Sequence, residues 1–150
     1  MQRSIINKNP LIAILYFLLF FLYESLTSIY LFLPPLLAFL FVLFTKAIKD
    51  DDLFFSIYIG VFLIIFEADK GYLSFSSIIY FLLIYKFILP KIVQNFSCSF
   101  CINIVYVVLS YLGFYIFTLF LEKIFIISIP ELNYYIVYYM IIEFFLVSLL

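Results

Sequence analysis

The chain has 150 residues, of which 69% are apolar and 11% are charged, and its mean hydropathy is +1.30. An ordinary soluble domain carries roughly 45–50% apolar and about 25% charged residues, so the composition predicts an integral membrane protein. A net charge of −1 leaves none of the clustered basic surface that nucleic-acid binding requires, which excludes that class of function.

Continuous apolar runs such as FLLIYKFILP predict an all-α membrane protein, because β-barrel strands alternate apolar and polar residues. A membrane-crossing helix takes roughly 20 residues, so the length predicts a single compact bundle of about six transmembrane helices over residues 1–150. Proline, charged and polar clusters separate the apolar runs. The predicted spans are approximately 10–23, 34–47, 53–66, 72–89, 100–121 and 134–150.

The first apolar run resembles a signal peptide because Arg3 and Lys8 precede it, but no small-residue cleavage site follows, so we predict a retained span. The pair Pro34-Pro35 fits the first turn of a helix and not its interior. We therefore expect the second helix to begin at Pro34 and residues 25–33 to form an interfacial connection. Pro90 is expected to close the fourth span.

The basic residues predict the orientation. With a cytoplasmic N-terminus, six of the eight would lie on the inner side and two on the outer side: Arg3, Lys8, Lys46, Lys49, Lys86 and Lys91 against Lys70 and Lys123. The positive-inside rule then predicts that both termini are cytoplasmic. The acids predicted on the outer side are Glu24, Glu67, Asp69, Glu122 and Glu131.

The stretch EADKG between the third and fourth spans contains Glu67, Asp69, Lys70 and Gly71. One interpretation is a solvated turn in which Gly71 ends the third span. The other is a polar cluster at membrane depth, where helices pack or a partner docks. Because charged side chains are costly within a membrane and not at its surface, the pattern favours the solvated turn.

Glu143 lies inside the apolar run NYYIVYYMIIEFFLVSLL, where a carboxylate costs on the order of 3 kcal/mol on insertion scales. It is therefore expected to be protonated, paired or turned toward the protein interior. Its neighbours at helical spacing are Tyr139, Met140, Leu146 and Val147, and Tyr139 is one candidate hydrogen-bond donor among them.

Candidates for catalysis or for a cofactor are scarce. Cys98 and Cys101 have C-x-x-C spacing, but the sequence holds no second pair and no histidine to complete a zinc site. We predict that these thiols are inert. The sequence also lacks a phosphate-binding glycine loop and a nucleophile–histidine pair, so we expect a non-enzymatic protein with no cofactor and no metal.

The order PPLLAFLFVLF, IYIGVFLIIFEADKG and SSIIYFLLIYKF resembles the MreD family of bacterial rod-shape-determining membrane proteins, over roughly Pro34 to Lys91. Glu67 and Gly71 match the family's acid and first glycine, with Glu in place of the usual Asp. The match departs at Leu63 and Phe75, where the family commonly has glycine.

The resemblance implies a scaffold subunit of the cell-wall elongation complex in the bacterial inner membrane, which binds MreC and helps organise peptidoglycan synthesis. The candidates for a partner-interaction or structural polar cluster are Glu67, Asp69, Gly71 and Glu143, and the family motif matches Glu67 and Gly71. Glu143 resembles an acid that the family often carries in its last helix.

A different class of function stays open, because the size and helix number also resemble the substrate-binding subunits of vitamin-uptake transporters. Such a subunit needs a cavity lined by convergent polar groups. The candidates for that lining are Glu67, Asp69, Lys70, Asn103 and Asn133. A structural membrane protein with another partner is a third alternative.

Overall fold

The computed structural model describes residues 10–95, 98–125 and 134–149, and this part of the chain is all-helical, as predicted. Six helices follow one another. They are α1 (Pro10–Ile29), α2 (Leu37–Lys49), α3 (Leu53–Lys70), α4 (Ser76–Asn95), α5 (Ser99–Val108 continuing through Leu109–Gly113 and Phe114–Phe125) and α6 (Ile136–Ser148). Short connections join α2 to α3 and α3 to α4, so α2 and α4 begin at the same end of the bundle.

Helix α2 forms the centre of the core and packs against α3, α5 and α6. It is short, but eight of its residues are buried: Leu37, Ala38, Leu40, Phe41, Val42, Phe44, Thr45 and Ala47. The ring of Phe41 lies 4.8 Å from that of Phe81 on α4 and meets Tyr106 on α5 edge-on at 5.7 Å. Aromatic pairs in these arrangements therefore connect the three helices at the centre of the bundle.

Helices α4 and α5 are long and apolar enough to cross a membrane. The qualifying stretches are Ser76–Asn95, with 20 residues, and Phe100–Phe125, with 26. At 1.5 Å per residue, even the shorter stretch extends about 30 Å, the thickness of a bilayer's hydrocarbon core. The surface carries many large apolar side chains, among them Leu19, Ile57, Phe87, Ile116 and Phe145.

Two predicted boundaries near the N-terminus are wrong. Helix α1 continues to Ile29, so Ser25–Ile29 is helical and not an interfacial connection. Its last turns carry polar residues on the side that faces α3. Polar residues after an apolar run are also typical of a connection between helices, which explains the wrong prediction. Helix α2 begins at Leu37 and not at Pro34, because Leu36 has left-handed backbone angles (φ 56°) that interrupt a helix.

Pro90 does not close the fourth helix, since α4 continues through it to Asn95. The turn before it, Ile84–Ile88, is π-helical, and the N–H of Leu89 bonds to the carbonyl of Ile84 five residues back. A wider turn relieves the clash between a proline ring and the preceding carbonyls, and proline lacks only its own N–H bond. The π-helical turn thus explains why proline is tolerated here.

A second π-helical turn, Leu109–Gly113, lies where α4 and α5 approach each other closely. The hydroxyl of Tyr80 on α4 donates a 2.7 Å hydrogen bond to the carbonyl of Leu109. A β-carbon at Gly113 would lie 1.9 Å from that hydroxyl oxygen, so this contact requires glycine.

Candidate functional site

Glu67 makes hydrogen bonds at the C-terminus of α3 and at the N-terminus of α4. Its main-chain carbonyl accepts from the N–H of Gly71 and, at 2.9 Å, from the N–H of Tyr72, and Gly71 has the left-handed conformation (φ 75°) common after a helix C-terminus. Its carboxylate accepts from the N–H groups of Phe75 at 2.6 Å and Ser77 at 2.5 Å. The hydroxyls of Ser76 and Ser77 add bonds of 3.1 and 2.6 Å.

The first N–H groups of α4 need an external acceptor because no helical carbonyl lies ahead of them. The residue at the N-cap position is Phe75, whose side chain cannot accept a hydrogen bond and whose backbone is left-handed (φ 70°). Glu67 supplies the missing acceptor, and its negative charge complements the positive end of the helix dipole. The residue is fully buried, so these bonds replace its contact with water.

Glu143 has the same role at the start of α2. Its Oε2 accepts from the N–H of Ala38 at 2.6 Å and of Phe39 at 3.3 Å, and its Oε1 accepts from the hydroxyl of Tyr111 on α5. The N-cap residue is Leu36, which, like Phe75, is left-handed and has no polar side chain. Two buried glutamates therefore cap two helix starts at the same end of the bundle.

Two predictions about these acids are wrong. Glu67 is fully buried, so the solvated-turn interpretation is wrong for this residue. That interpretation did not include the unpaired N–H groups at the start of α4, which bind the carboxylate. Tyr139 does not bond to Glu143, since its hydroxyl donates to the carbonyl of Leu31. The predicted pairing of Glu143 inside the protein is confirmed, but its donors lie 32 to 105 residues away in sequence.

One sequence signal could have indicated an external acceptor at α2. The stretch YLFLPPLLAFL before and into this helix contains none of the Ser, Thr, Asp or Asn residues that usually cap a helix start. An apolar helix start with no cap of its own needs a polar group from another element if it is buried.

Asp69 and Lys70 connect the end of α3 to the end of α1. The Lys70 Nζ lies 3.2 Å from Asp69 Oδ2 and 3.0 Å from Thr27 Oγ1, and the Ser28 hydroxyl donates a 2.5 Å bond to Asp69 Oδ2. Glu24, which follows the predicted first span, lies within α1 and is fully buried; its predicted location on the outer side stays a prediction. The hydroxyl of Thr27 lies 3.2 Å from its Oε2.

The predicted site residues thus divide into two places. Glu67, Asp69 and Gly71 belong to the α3–α4 turn, whereas Glu143 lies at the start of α2. Asn103 lies in the first half of α5, which begins at the opposite end of the bundle, so it does not join the Glu67 turn. Asn133 and Glu131 lie outside the described residues.

A small open cleft lies beside the α3–α4 turn. It is lined by Gly71, Tyr72, Leu73, Thr118, Leu121, Glu122 and Phe125. The carboxylate of Glu122 is the one charged group in this lining. Cys98 is exposed before α5, and Cys101 is half-buried in its first turn. Both are free thiols, and their inertness stays a prediction.

Comparison with known proteins finds no family model that matches the chain, and no curated protein or solved structure that matches it either. The resemblance to the MreD family therefore depends on the residues quoted above.

Proposed function

We propose that this chain is a multi-pass protein of the bacterial inner membrane that acts as a scaffold, binding an MreC-type partner within the cell-wall elongation complex. The apolar outer surface and the two span-length helices support a membrane location. The distribution of Lys and Arg supports cytoplasmic termini, with the α3–α4 turn at the outer face.

The observation that carries the proposal is the role of Glu67 in the α3–α4 turn. A group for acid–base chemistry must reach a substrate, whereas this carboxylate is buried and accepts four hydrogen bonds from the start of α4. Its role is to hold a turn whose Leu73 and Phe75 side chains are exposed. A fixed turn with exposed apolar side chains suits the docking of a partner.

The backbone at Phe75 supports the family resemblance. The motif commonly has glycine at this position, and the left-handed φ of 70° is a conformation that glycine adopts without strain. The two matched residues also have definite roles, because Glu67 caps α4 and Gly71 ends α3. Phe75 therefore has the left-handed backbone conformation that a glycine at this position adopts without strain.

The proposal is tested by co-purification with MreC from cells of the source bacterium. We expect Glu67→Ala and Gly71→Val to reduce recovery of MreC and to round the cells, while the protein still inserts into the membrane. The matched control is Asp50→Ala, which removes an exposed acid at the other end of α3 and is expected to leave recovery unchanged.

Full recovery of MreC with both turn variants, at equal membrane abundance, would contradict the proposal. Purification of the chain with a bound metabolite and without MreC would favour the uptake-subunit alternative instead.

A further inference from the structure

Glu24 is buried with too few hydrogen-bond donors. Three glutamates are fully buried in the described part of the chain, and two of them are well supplied, with four donors around Glu67 and three around Glu143. In contrast, Glu24 Oε1 is the one buried side-chain oxygen or nitrogen among the described residues that has no partner. Buried polar groups are almost always paired, so an orphaned carboxylate oxygen requires an explanation.

The other oxygen of Glu24 is only partly satisfied. The Thr27 Oγ1 lies 3.2 Å from Glu24 Oε2 and 2.8 Å from the main-chain carbonyl oxygen of Glu24. A threonine hydroxyl has one proton, and the two acceptors share it. The ammonium of Lys70 donates to Thr27 and pairs with Asp69, and it makes no ion pair with Glu24.

We propose that the Glu24 carboxylate, through Oε1, binds one alkali-metal cation between α1 and α3. When Glu24 and Asp69 are both ionised, Lys70 offsets only one of the two carboxylates, which leaves one negative charge. A single monovalent cation balances that charge.

The chemistry of the neighbouring groups also favours an alkali-metal cation. Thr27 bonds to Glu24 and to Lys70, and Ser28 bonds to Asp69, so the oxygen-bearing side chains of this region are carboxylates and hydroxyls. Hard oxygen ligands suit hard cations, whereas transition metals favour sites that include nitrogen or sulfur.

The test measures thermal unfolding of the full chain in detergent while Na⁺ or K⁺ replaces choline at constant ionic strength. A ligand that binds only the folded state raises the unfolding midpoint as its concentration increases. We expect the midpoint of the wild type to rise with Na⁺, with K⁺ or with both. The rise should disappear in Glu24→Gln and persist in the matched control Asp50→Asn.

A second measurement covers the case in which Glu24→Gln does not fold. Equilibrium binding of radioactive Na⁺ to the wild type, with K⁺ as competitor, should show one saturable ion per chain. The absence of saturable binding, or an equal response to alkali cations in Glu24→Gln, would overturn the proposal. A midpoint that rises on acidification but not with Na⁺ or K⁺ would also overturn it, and would assign a proton to Glu24 instead.

Discussion

At the scale of single residues, the chain uses two carboxylates where helices usually use their own caps. Leu36 and Phe75 precede α2 and α4 in the left-handed conformation, and neither offers a side-chain acceptor. Glu143 and Glu67 accept the N–H bonds instead. Hydrogen bonds to a charged group contribute about 1.5–3 kcal/mol each, which helps to offset the cost of burying the carboxylate.

The left-handed conformation of Phe75 predicts that replacing it by glycine stabilises the protein. Replacement by glycine removes a backbone strain of about 1–2 kcal/mol, and little burial is lost because the side chain is 55% exposed. We expect Phe75→Gly to raise the free energy of unfolding in detergent by about 1 kcal/mol. Phe75→Val should lower it, since β-branched residues fit this conformation badly. If Phe75→Gly were less stable than Phe75→Val, the left-handed conformation of Phe75 would not be a source of backbone strain.

Glu143→Leu should insert normally into the membrane and yet be less stable. The change leaves the N–H of Ala38 and the hydroxyl of Tyr111 without their acceptor, and each buried unpaired group costs about 1–3 kcal/mol. Membrane abundance and denaturant unfolding in detergent measure the two effects separately. An unchanged or raised free energy of unfolding would show that Glu143 is not a structural acceptor.

At the scale of helices, the close approach of α4 and α5 depends on Gly113. A β-carbon there would overlap the Tyr80 hydroxyl, so we expect Gly113→Ala to destabilise the protein by about 1–3 kcal/mol, as overpacking does. Tyr80→Phe removes the hydroxyl and should recover part of that loss. The measurement is a double-mutant cycle of unfolding free energies. Strictly additive effects would contradict the contact.

The sequence predicts the six helices well but not all of their boundaries. Proline, glycine and charged clusters mark the connections between helices, and Gly71 was correctly expected to end α3. The errors occur where tertiary structure overrides a local signal. The polar end of α1 stays helical because it packs against α3, and Pro90 is tolerated because a π-helical turn precedes it.

The candidate site could be predicted only in part, for a related reason. An acidic residue within an apolar run is easily recognised, so the sequence alone indicates Glu67 and Glu143 as candidates. Their donors could not be identified, because Ala38 and Tyr111 approach Glu143 only when α2, α5 and α6 pack together. Sequence spacing suggested Tyr139, a neighbour on the same helix, whereas its hydroxyl bonds elsewhere.

At the scale of the whole molecule, the proposed orientation has a direct check. An alkaline phosphatase domain fused after Leu150 is expected to be inactive, because that enzyme folds only outside the cytoplasm, whereas a fluorescent protein fused there should be bright. The physical reason is the excess of Lys and Arg in the predicted inner connections. An active phosphatase and a dark fluorescent protein would reverse the orientation and move the α3–α4 turn to the cytoplasm.

The central claim is that two buried glutamates hold the starts of α2 and α4, and backbone hydrogen exchange tests it most directly. Amide exchange would be measured in detergent for the wild type, Glu67→Ala and Glu143→Ala. We predict that Glu67→Ala selectively loses protection at Phe75 and Ser77, and that Glu143→Ala loses it at Ala38 and Phe39. Protection that is unchanged in both variants, or lost equally at both helix starts in each, would contradict the claim.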